Sequence, residues 1–142
     1  MSVAARLTVD ADMAAWPALA RFVEAFAAEQ RLPGDERARL MVVLEELLTN
    51  LVKYGYDAGA PRGTAHVGLA IERGLLAIDF EDDGRPFDPL GRAVDHLDKA
   101  VEDRPVGGLG LHLIRSMAQD ASYSRHAGRN HLRLVRRLSA PL

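Results

Sequence analysis

The chain has 142 residues, which is enough for one domain with a hydrophobic core of its own. Its 18 Lys and Arg residues nearly balance its 20 Asp and Glu residues, so the net charge of −2 predicts neither nucleic-acid binding nor attraction to a membrane surface. The absence of cysteine excludes disulfides and thiolate metal sites. No apolar run has the character of a signal peptide or the length of a membrane span, so we expect a cytoplasmic protein.

The first part of the chain reads as a short strand followed by two helices. Ala5 to Val9 alternates weakly between apolar and polar residues, as a strand does. Asp10 and Asp12 offer N-cap oxygens for a helix that runs to about Gln30. After a break rich in turn residues, Asp35 can cap the second helix.

The second helix carries the most informative pattern of the chain. Its apolar residues recur every three or four positions and predict a buried stripe, while Glu46 and Asn50 lie four apart on a face that adjoins this stripe. A carboxylate there can accept a proton, and an amide oxygen can bind a hard cation such as Mg²⁺. A helix with a solvated polar edge would show the same spacing. The stripe consists of Leu40, Val43, Leu44, Leu47, Leu48 and Leu51.

Two hairpins and a long connection make up the rest. Ala65 to Ile71 and Leu75 to Phe80 predict paired strands, and Ser122 to Arg125 and Leu132 to Leu138 predict a final hairpin with a basic, exposed face and a turn at residues 128–130. The stretch from Leu90 to Val106 is long for a compact domain and predicts a lid or binding loop. Because helices and hairpins are segregated, a two-layer α+β sandwich is favoured over a doubly wound sheet.

Two further motifs suit ligand binding. Asp82 and Gly84 follow an apolar strand, where a half-buried carboxylate can accept a hydrogen bond from an exocyclic amine and a glycine leaves room for a flat base. Gly107, Gly108 and Gly110 open a helix and can present backbone N–H groups to a phosphate. Taken singly, the first motif also fits an ordinary turn and the second fits close packing.

In their order and spacing, these motifs resemble those of the GHKL (Bergerat-fold) ATPase superfamily. The phrases EELLTNLVKYGY, DDGRPFDP and GGLGLHLIRSMAQD are similar to one branch of it, the anti-sigma factor serine-protein kinases of the RsbW and SpoIIAB type. The resemblance extends over essentially the whole chain. It implies one ATP-binding kinase domain (1–142) with a mixed, mostly antiparallel sheet and helices on one face.

The resemblance also implies roles for individual residues. Glu46 would be the general base for a serine hydroxyl, Asn50 would ligate Mg²⁺, and Asp82 would bind the adenine of ATP or ADP while Gly84 lets the base approach. A lid from about Pro89 to Val106 would cover the nucleotide. The phosphates would be held by the segment consisting of Gly107, Gly108, Leu109, Gly110 and Leu111.

Several residues near these motifs are further candidates. Arg104 precedes the glycine motif and is a candidate for the γ-phosphate, and Arg21 falls where this branch contacts protein partners, although a surface salt bridge fits it equally well. Glu45 lacks the four-residue spacing to Asn50 that Glu46 has. Pro86 stands where many superfamily members have a second glycine, and the adjoining Phe87 is expected at the pocket wall.

The leading hypothesis is therefore an ATP-dependent serine-protein kinase. As the resemblance implies, it would sequester a sigma factor, phosphorylate a STAS-domain antagonist on serine and form a homodimer. Two alternatives stay open: a nucleotide-sensing module that binds partners without phosphotransfer, and a switch kinase of a STAS scaffold that binds no sigma factor. A histidine-kinase catalytic domain is disfavoured, because such domains usually have asparagine at the position of Glu46 and no phosphoacceptor hairpin precedes Ala5.

Overall fold

The computed structural model describes residues 3–90 and 114–138. Within these ranges the chain forms one five-stranded sheet with the strand order β1-β2-β3-β5-β4, and all four strand pairings are antiparallel. The elements are β1 (Val3–Asp10), a short 3₁₀ helix (Met13–Ala15), α1 (Trp16–Gln30), α2 (Gly34–Tyr54), β2 (Thr64–Glu72), β3 (Leu75–Asp82), β4 (Asp120–His126) and β5 (Arg129–Arg137). Residues 114–117 are also helical.

The helices cover one face of the sheet and enclose the core. Apolar residues of α1 and α2 pack against alternate residues of the strands, which explains the spacing seen in the sequence. The other face carries polar and charged side chains. The two-layer α+β sandwich predicted from the sequence is confirmed. The fully buried side chains of the core include Leu19, Val23, Leu40, Leu44, Leu48, Leu69, Leu76, Ile78, Ile114 and Leu134.

Both helix starts differ from the sequence prediction in detail. The Asp12 carboxylate accepts a hydrogen bond from the Ala14 N–H at 2.9 Å, so it caps the 3₁₀ turn, and α1 follows with Pro17 in its first turn. The prediction that Asp35 caps α2 was wrong. Pro33 is the N-cap residue and no side chain caps this helix, because Asp35 already lies in the first turn, where its charge favours the helix dipole.

Each hairpin turns through two residues with positive φ. In the first these are Arg73 (55°) and Gly74 (76°), and in the second Ala127 (53°) and Gly128 (77°). This is the pattern of type I′ turns, whose twist matches that of the flanking strands. The observed turn therefore begins one residue before the turn predicted at residues 128–130. Asn130 belongs to β5 and lies opposite Asp82 of β3.

A buried ion pair joins distant parts of the fold. The Arg136 guanidinium of β5 donates to the Glu36 carboxylate of α2 at 2.8 and 3.3 Å, and it also donates to the Met117 carbonyl at 2.6 Å. Arg133, by contrast, lies on the open face of the sheet and pairs with Asp79 at 2.8 Å. The basic exposed face predicted for the last strand is thus partly neutralised.

No helix within residues 3–90 or 114–138 combines the length and the apolar character needed to cross a membrane.

Candidate functional site

A cleft lies where the C-terminal half of α2 meets the end of β3 and the start of β5. Its inner wall is mostly apolar, and its polar groups are few and come from three different elements. Such a slot suits a flat, partly apolar ligand with a small number of polar groups at its edge. The cleft is lined by Leu47, Leu51, Tyr54, Gly55, Phe80, Phe87, Pro89, Tyr123 and Leu132, and by the polar or charged residues Asn50, Asp82, Arg85 and Asn130.

Glu46 and Asn50 lie one turn apart on α2, as the sequence predicted. Glu46 is half-buried and Asn50 is 5% exposed, whereas the neighbouring Glu45 is exposed. Burial raises the pKa of the Glu46 carboxyl above its usual value, and the nearby Asn50 amide and Lys53 ammonium partly offset this rise. Glu46 is therefore the better placed of the two carboxylates to exchange a proton.

Two buried atoms of this pair lack partners. Glu46 Oε2 and Asn50 Nδ2 make no hydrogen bond of ordinary geometry with any residue in the described part of the chain. Buried polar atoms without partners are uncommon and costly, and they often mark a place where a ligand completes the structure. Since the amide nitrogen and oxygen are assigned from the bonding pattern, Asn50 can turn its oxygen toward a cation.

Asp82 supplies the carboxylate at the inner end of the cleft. It is 9% exposed, and its Oδ1 accepts hydrogen bonds from the Gly84 N–H at 2.9 Å and from Asn130 Nδ2 at 3.0 Å. Burial raises the pKa of the Asp82 carboxyl. The hydrogen bonds from Asn130 and Gly84 and the Arg125 charge oppose this rise, while the charge of Asp83 adds to it. The carboxylate is thus held in place but poorly solvated.

Gly84 has a packing role in addition to the one expected of it. A Cβ at this position would lie 2.9 Å from Leu51 Cδ1 and 3.1 Å from the Gly55 Cα, so a larger residue would force Leu51 and the backbone near Gly55 to shift. The Arg85 N–H donates to the Gly55 carbonyl at 2.8 Å across the same contact. Room for a nucleotide base at Gly84 stays a prediction.

Asp83 fastens the other side of this loop. Its carboxylate accepts a hydrogen bond from the Tyr56 hydroxyl, and burial together with this bond raises the pKa of that hydroxyl above its usual value. A Cβ at Gly63 would collide with the Asp83 carboxylate and displace it from the Tyr56 hydroxyl. Asp83 therefore positions the loop, while Asp82 faces the cleft.

Sequence reasoning missed the polar cluster of the last hairpin, which consists of Asn130, Tyr123 and Arg125. Asn130 is buried beside Asp82, and its Oδ1 accepts hydrogen bonds from the Tyr123 hydroxyl and from Arg125 Nη1, the latter at 2.9 Å. One signal could have found Asn130: extending the alternation of Leu132 and Leu134 backward by two residues places it on the inner face. Phe87 lines the cleft, as expected.

In the described part of the chain, none of the remaining candidate residues is found in this site. Arg21 is exposed on α1, away from the cleft. Most of the expected lid, between positions 91 and 106, lies outside the described residues. So do the phosphate-binding candidates Arg104, Gly107, Gly108, Leu109, Gly110 and Leu111.

The residues present fit an adenine nucleotide with Mg²⁺. The apolar walls suit the faces of a base, and the buried Asp82 carboxylate suits an amine at its edge. Among the described residues, no group of three or more His, Asp or Glu side chains could hold a metal by itself. A cation at Asn50 would therefore take its other ligands from phosphates and water, which is how Mg²⁺ usually binds beside a nucleotide.

Comparison with known proteins identifies the family. The model of the histidine kinase-like ATPase domain matches residues 9–136, which is nearly all of the chain. This chain belongs to the histidine kinase-like ATPase family. The GHKL superfamily inferred from the three sequence motifs is confirmed, and so is its fold, a mostly antiparallel five-stranded sheet with helices on one side.

The relatives found place the chain in one branch of this family. The Serine/threonine-protein kinase BtrW of Bordetella bronchiseptica is 30% identical over 114 residues, which cover 80% of either chain. The Anti-sigma F factor of a Geobacillus strain is 24% identical over 98 residues, covering 69% of this chain and 66% of that protein. These names match the anti-sigma kinase branch predicted from the sequence.

A solved structure supports the fold. The RsbU and RsbW domains of a Mycobacterium tuberculosis protein superpose on 98% of this chain with a TM-score of 0.69 at 20% identity. The chain spans only 33% of that longer protein.

Proposed function

We propose that this chain is an ATP-dependent serine-protein kinase of the partner-switching type, which transfers the γ-phosphoryl group of ATP to a serine of a STAS-domain protein. In its other state it binds a sigma factor, and it works as a homodimer. The observation that carries the proposal is the pair of unpartnered atoms, Glu46 Oε2 and Asn50 Nδ2, one turn apart beside a cleft that ends in a buried carboxylate.

Each of these residues has a task in such a transfer. Asp82 binds the base and thereby fixes the nucleotide along α2. Asn50 would hold Mg²⁺, which supplies charge neutralisation on the phosphates. Glu46 accepts the proton of the serine hydroxyl at Oε2 as the serine oxygen bonds to the γ-phosphorus and the bond from that phosphorus to the bridging oxygen breaks, releasing ADP. Because burial raises its pKa, Glu46 is a stronger base than an exposed glutamate.

The relatives support this activity by name. One is named a serine/threonine-protein kinase and another an anti-sigma factor. A glutamate at position 46 supports phosphotransfer over nucleotide sensing alone, because a pure sensor needs no base there.

The test is phosphotransfer with a matched pair of variants. The wild type is incubated with Mg²⁺, ATP labelled at the γ-phosphate and a purified STAS-domain protein. Glu46→Gln keeps the size of the side chain but removes its basicity, so we expect the rate to fall by about 10²–10⁴-fold. Glu45→Gln, one residue away and exposed, should change the rate far less, because the charge of Glu45 makes only the smallest contribution to the raised pKa of Glu46. Acidification should slow the wild type, with a midpoint above the usual glutamate pKa.

The outcomes separate the candidate functions. Nucleotide binding with no phosphoprotein from any STAS partner would leave a nucleotide-sensing module and overturn the kinase. Phosphotransfer by a protein that captures no sigma factor in a binding assay would indicate a switch kinase of a STAS scaffold. Sedimentation of the free protein tests the homodimer.

A further inference from the structure

Asn130 has more hydrogen bonds than any simple packing role requires. Its Nδ2 donates to Asp82 Oδ1 at 3.0 Å, to the Arg85 carbonyl at 2.8 Å and to the Gly84 carbonyl at 3.4 Å. Its Oδ1 accepts from Arg125, from Tyr123 and, at 3.4 Å, from the Phe87 N–H. The side chain is 5% exposed, so this amide is a buried and fully used hub.

This hub acts on one oxygen of Asp82. In the described part of the chain, both hydrogen bonds to the carboxylate go to Oδ1, one from Asn130 and one from the Gly84 N–H. Two donors on one oxygen fix the rotation of the carboxyl group and favour its ionised form. The other oxygen is left as an acceptor at the end of the cleft.

The same amide also holds the loop that follows. Bonds to the carbonyls of Gly84 and Arg85 and from the Phe87 N–H fix the backbone of residues 84–87, and Arg125 strengthens this contact by donating to the Gly84 carbonyl at 3.0 Å. Phe87 is itself a wall of the cleft. The Asn130 side chain therefore fixes both the Asp82 acceptor and the Phe87 wall beside it.

We infer that Asn130 is a positioning residue for base recognition. By holding Asp82 and the Phe87 wall in place, it makes the cleft selective for a purine that carries an amino group on its six-membered ring. Asn130 acts through Asp82 and is not itself required to touch the base. The inference rests on the proposed function, since it takes the cleft to be the nucleotide site.

The experiment compares two ligands that differ only in that amino group. ADP and the 5′-diphosphate of purine riboside, which lacks the 6-amino group, are titrated into the protein by calorimetry with Mg²⁺ present. A hydrogen bond to a charged group is worth enough to give the wild type at least about a tenfold preference for ADP. Asn130→Leu should reduce this preference to about threefold or less, chiefly by weakening ADP.

Two more variants keep the result interpretable. Arg125→Ala removes an exposed side chain that supports Asn130, so it should fold well and reduce the preference in the same direction by a smaller factor. His131→Ala is the control, because His131 is the next residue on β5 but contacts Asp79 on the opposite face of the sheet. It should leave both affinities unchanged.

The ratio of affinities distinguishes positioning from general damage. If Asn130→Leu and Arg125→Ala weaken both ligands equally, or leave the ratio unchanged, the inference is wrong while the nucleotide site stands. If the wild type binds both ligands equally, amine recognition by Asp82 is wrong and the inference fails with it. If the wild type binds neither, the proposed function itself fails.

Discussion

At Asp82, the proposed function and the stability of the fold oppose each other. Binding an amine needs an ionised carboxylate, yet burial makes the ionised form costly and raises its pKa. A raised pKa in the folded state means that this group lowers stability as the pH rises through that pKa, and the penalty is absent at a pH below the pKa of the unfolded chain. At neutral pH the free protein therefore bears this cost.

We predict opposite effects of Asp82→Asn on the free and the bound protein. The amide keeps an oxygen that can accept from Gly84 and Asn130 but carries no charge, so the free variant should melt at the same temperature as the wild type or higher, with any gain disappearing near pH 4. The wild type should gain roughly 5–10 °C from Mg-ADP at about a hundred times its dissociation constant, and the variant should gain almost nothing. Thermal melting with and without ligand measures both.

A matched control is Asp57→Asn, which removes a carboxylate whose side chain is 85% exposed. It should alter neither the melting temperature of the free protein nor the gain from ligand by more than a degree or so. A ligand-induced gain that survives in Asp82→Asn would contradict the assignment of Asp82 to base recognition.

Among the elements, the β4–β5 hairpin has a strained residue in its turn that a substitution can relieve. Ala127 has a φ of 53°, which is unfavourable for a residue with a Cβ and no side-chain amide, whereas Gly128 next to it tolerates its φ of 77°. The hairpin matters because it brings Asn130 opposite Asp82. Its turn is therefore a place to stabilise the site without touching it.

We predict that Ala127→Asn stabilises the protein by about 0.5–1 kcal/mol, because asparagine is favoured at the first position of such a turn. Urea unfolding measures this as a higher midpoint with an unchanged slope. Ala127→Val, a β-branched residue at the same φ, should lower the midpoint. Equal midpoints for Asn and Val would show that the turn conformation does not limit stability.

At the scale of the whole molecule, the Glu36–Arg136 ion pair connects the helix layer to the sheet. Glu36 is 1% exposed and begins the helix that carries the site, and Arg136 lies near the end of the last strand. Its third bond reaches Met117, in the helical turn before β4. One buried ion pair therefore joins the helix layer, the sheet and the segment between them.

We predict that Arg136→Met costs up to about 3–5 kcal/mol, because it leaves the buried Glu36 carboxylate with only the longer contact to Arg39, at 3.5 Å. The double variant Glu36→Met with Arg136→Met should recover part of this loss, since it removes the buried carboxylate but takes the ion-pair partner of Arg39 away. Arg133→Met is the control: its pair with Asp79 is half-exposed, so the cost should be about 0–1 kcal/mol. A double variant as unstable as Arg136→Met alone would show that the loss comes from packing and not from charge.

The sequence predicted what local patterns determine. The stripe of α2 and the alternation of β2 are set by neighbours a few residues apart, so the helices, the hairpins and the positions of Glu46, Asn50 and Asp82 followed from them. The hub at Asn130 did not, because it depends on the register between β3 and β5. Because the predicted turn was one residue too late, it included Asn130, and the pairing of Asn130 with Asp82 was not predicted.

The Glu36–Arg136 pair was beyond any local pattern. Its two residues are 100 positions apart, and each by itself looks like an ordinary surface charge. Likewise, the glycine at position 84 was visible, but its contact with Leu51 and Gly55 depends on how the loop packs on α2. Contacts between residues far apart in the chain depend on how the sheet assembles, and local patterns in a single sequence do not contain this information.

The register between β3 and β5 also has a consequence for biosynthesis. Asp82 and Asn130 are 48 positions apart, so the ribosome releases the carboxylate well before it releases the amide that orients it. Until the final hairpin has emerged and joined the sheet, the Asp82 carboxylate of the nascent chain is neither aligned nor enclosed. Under the proposed function, ATP would therefore assist only the last stage of folding, and a polypeptide that ends before β5 would not bind the nucleotide.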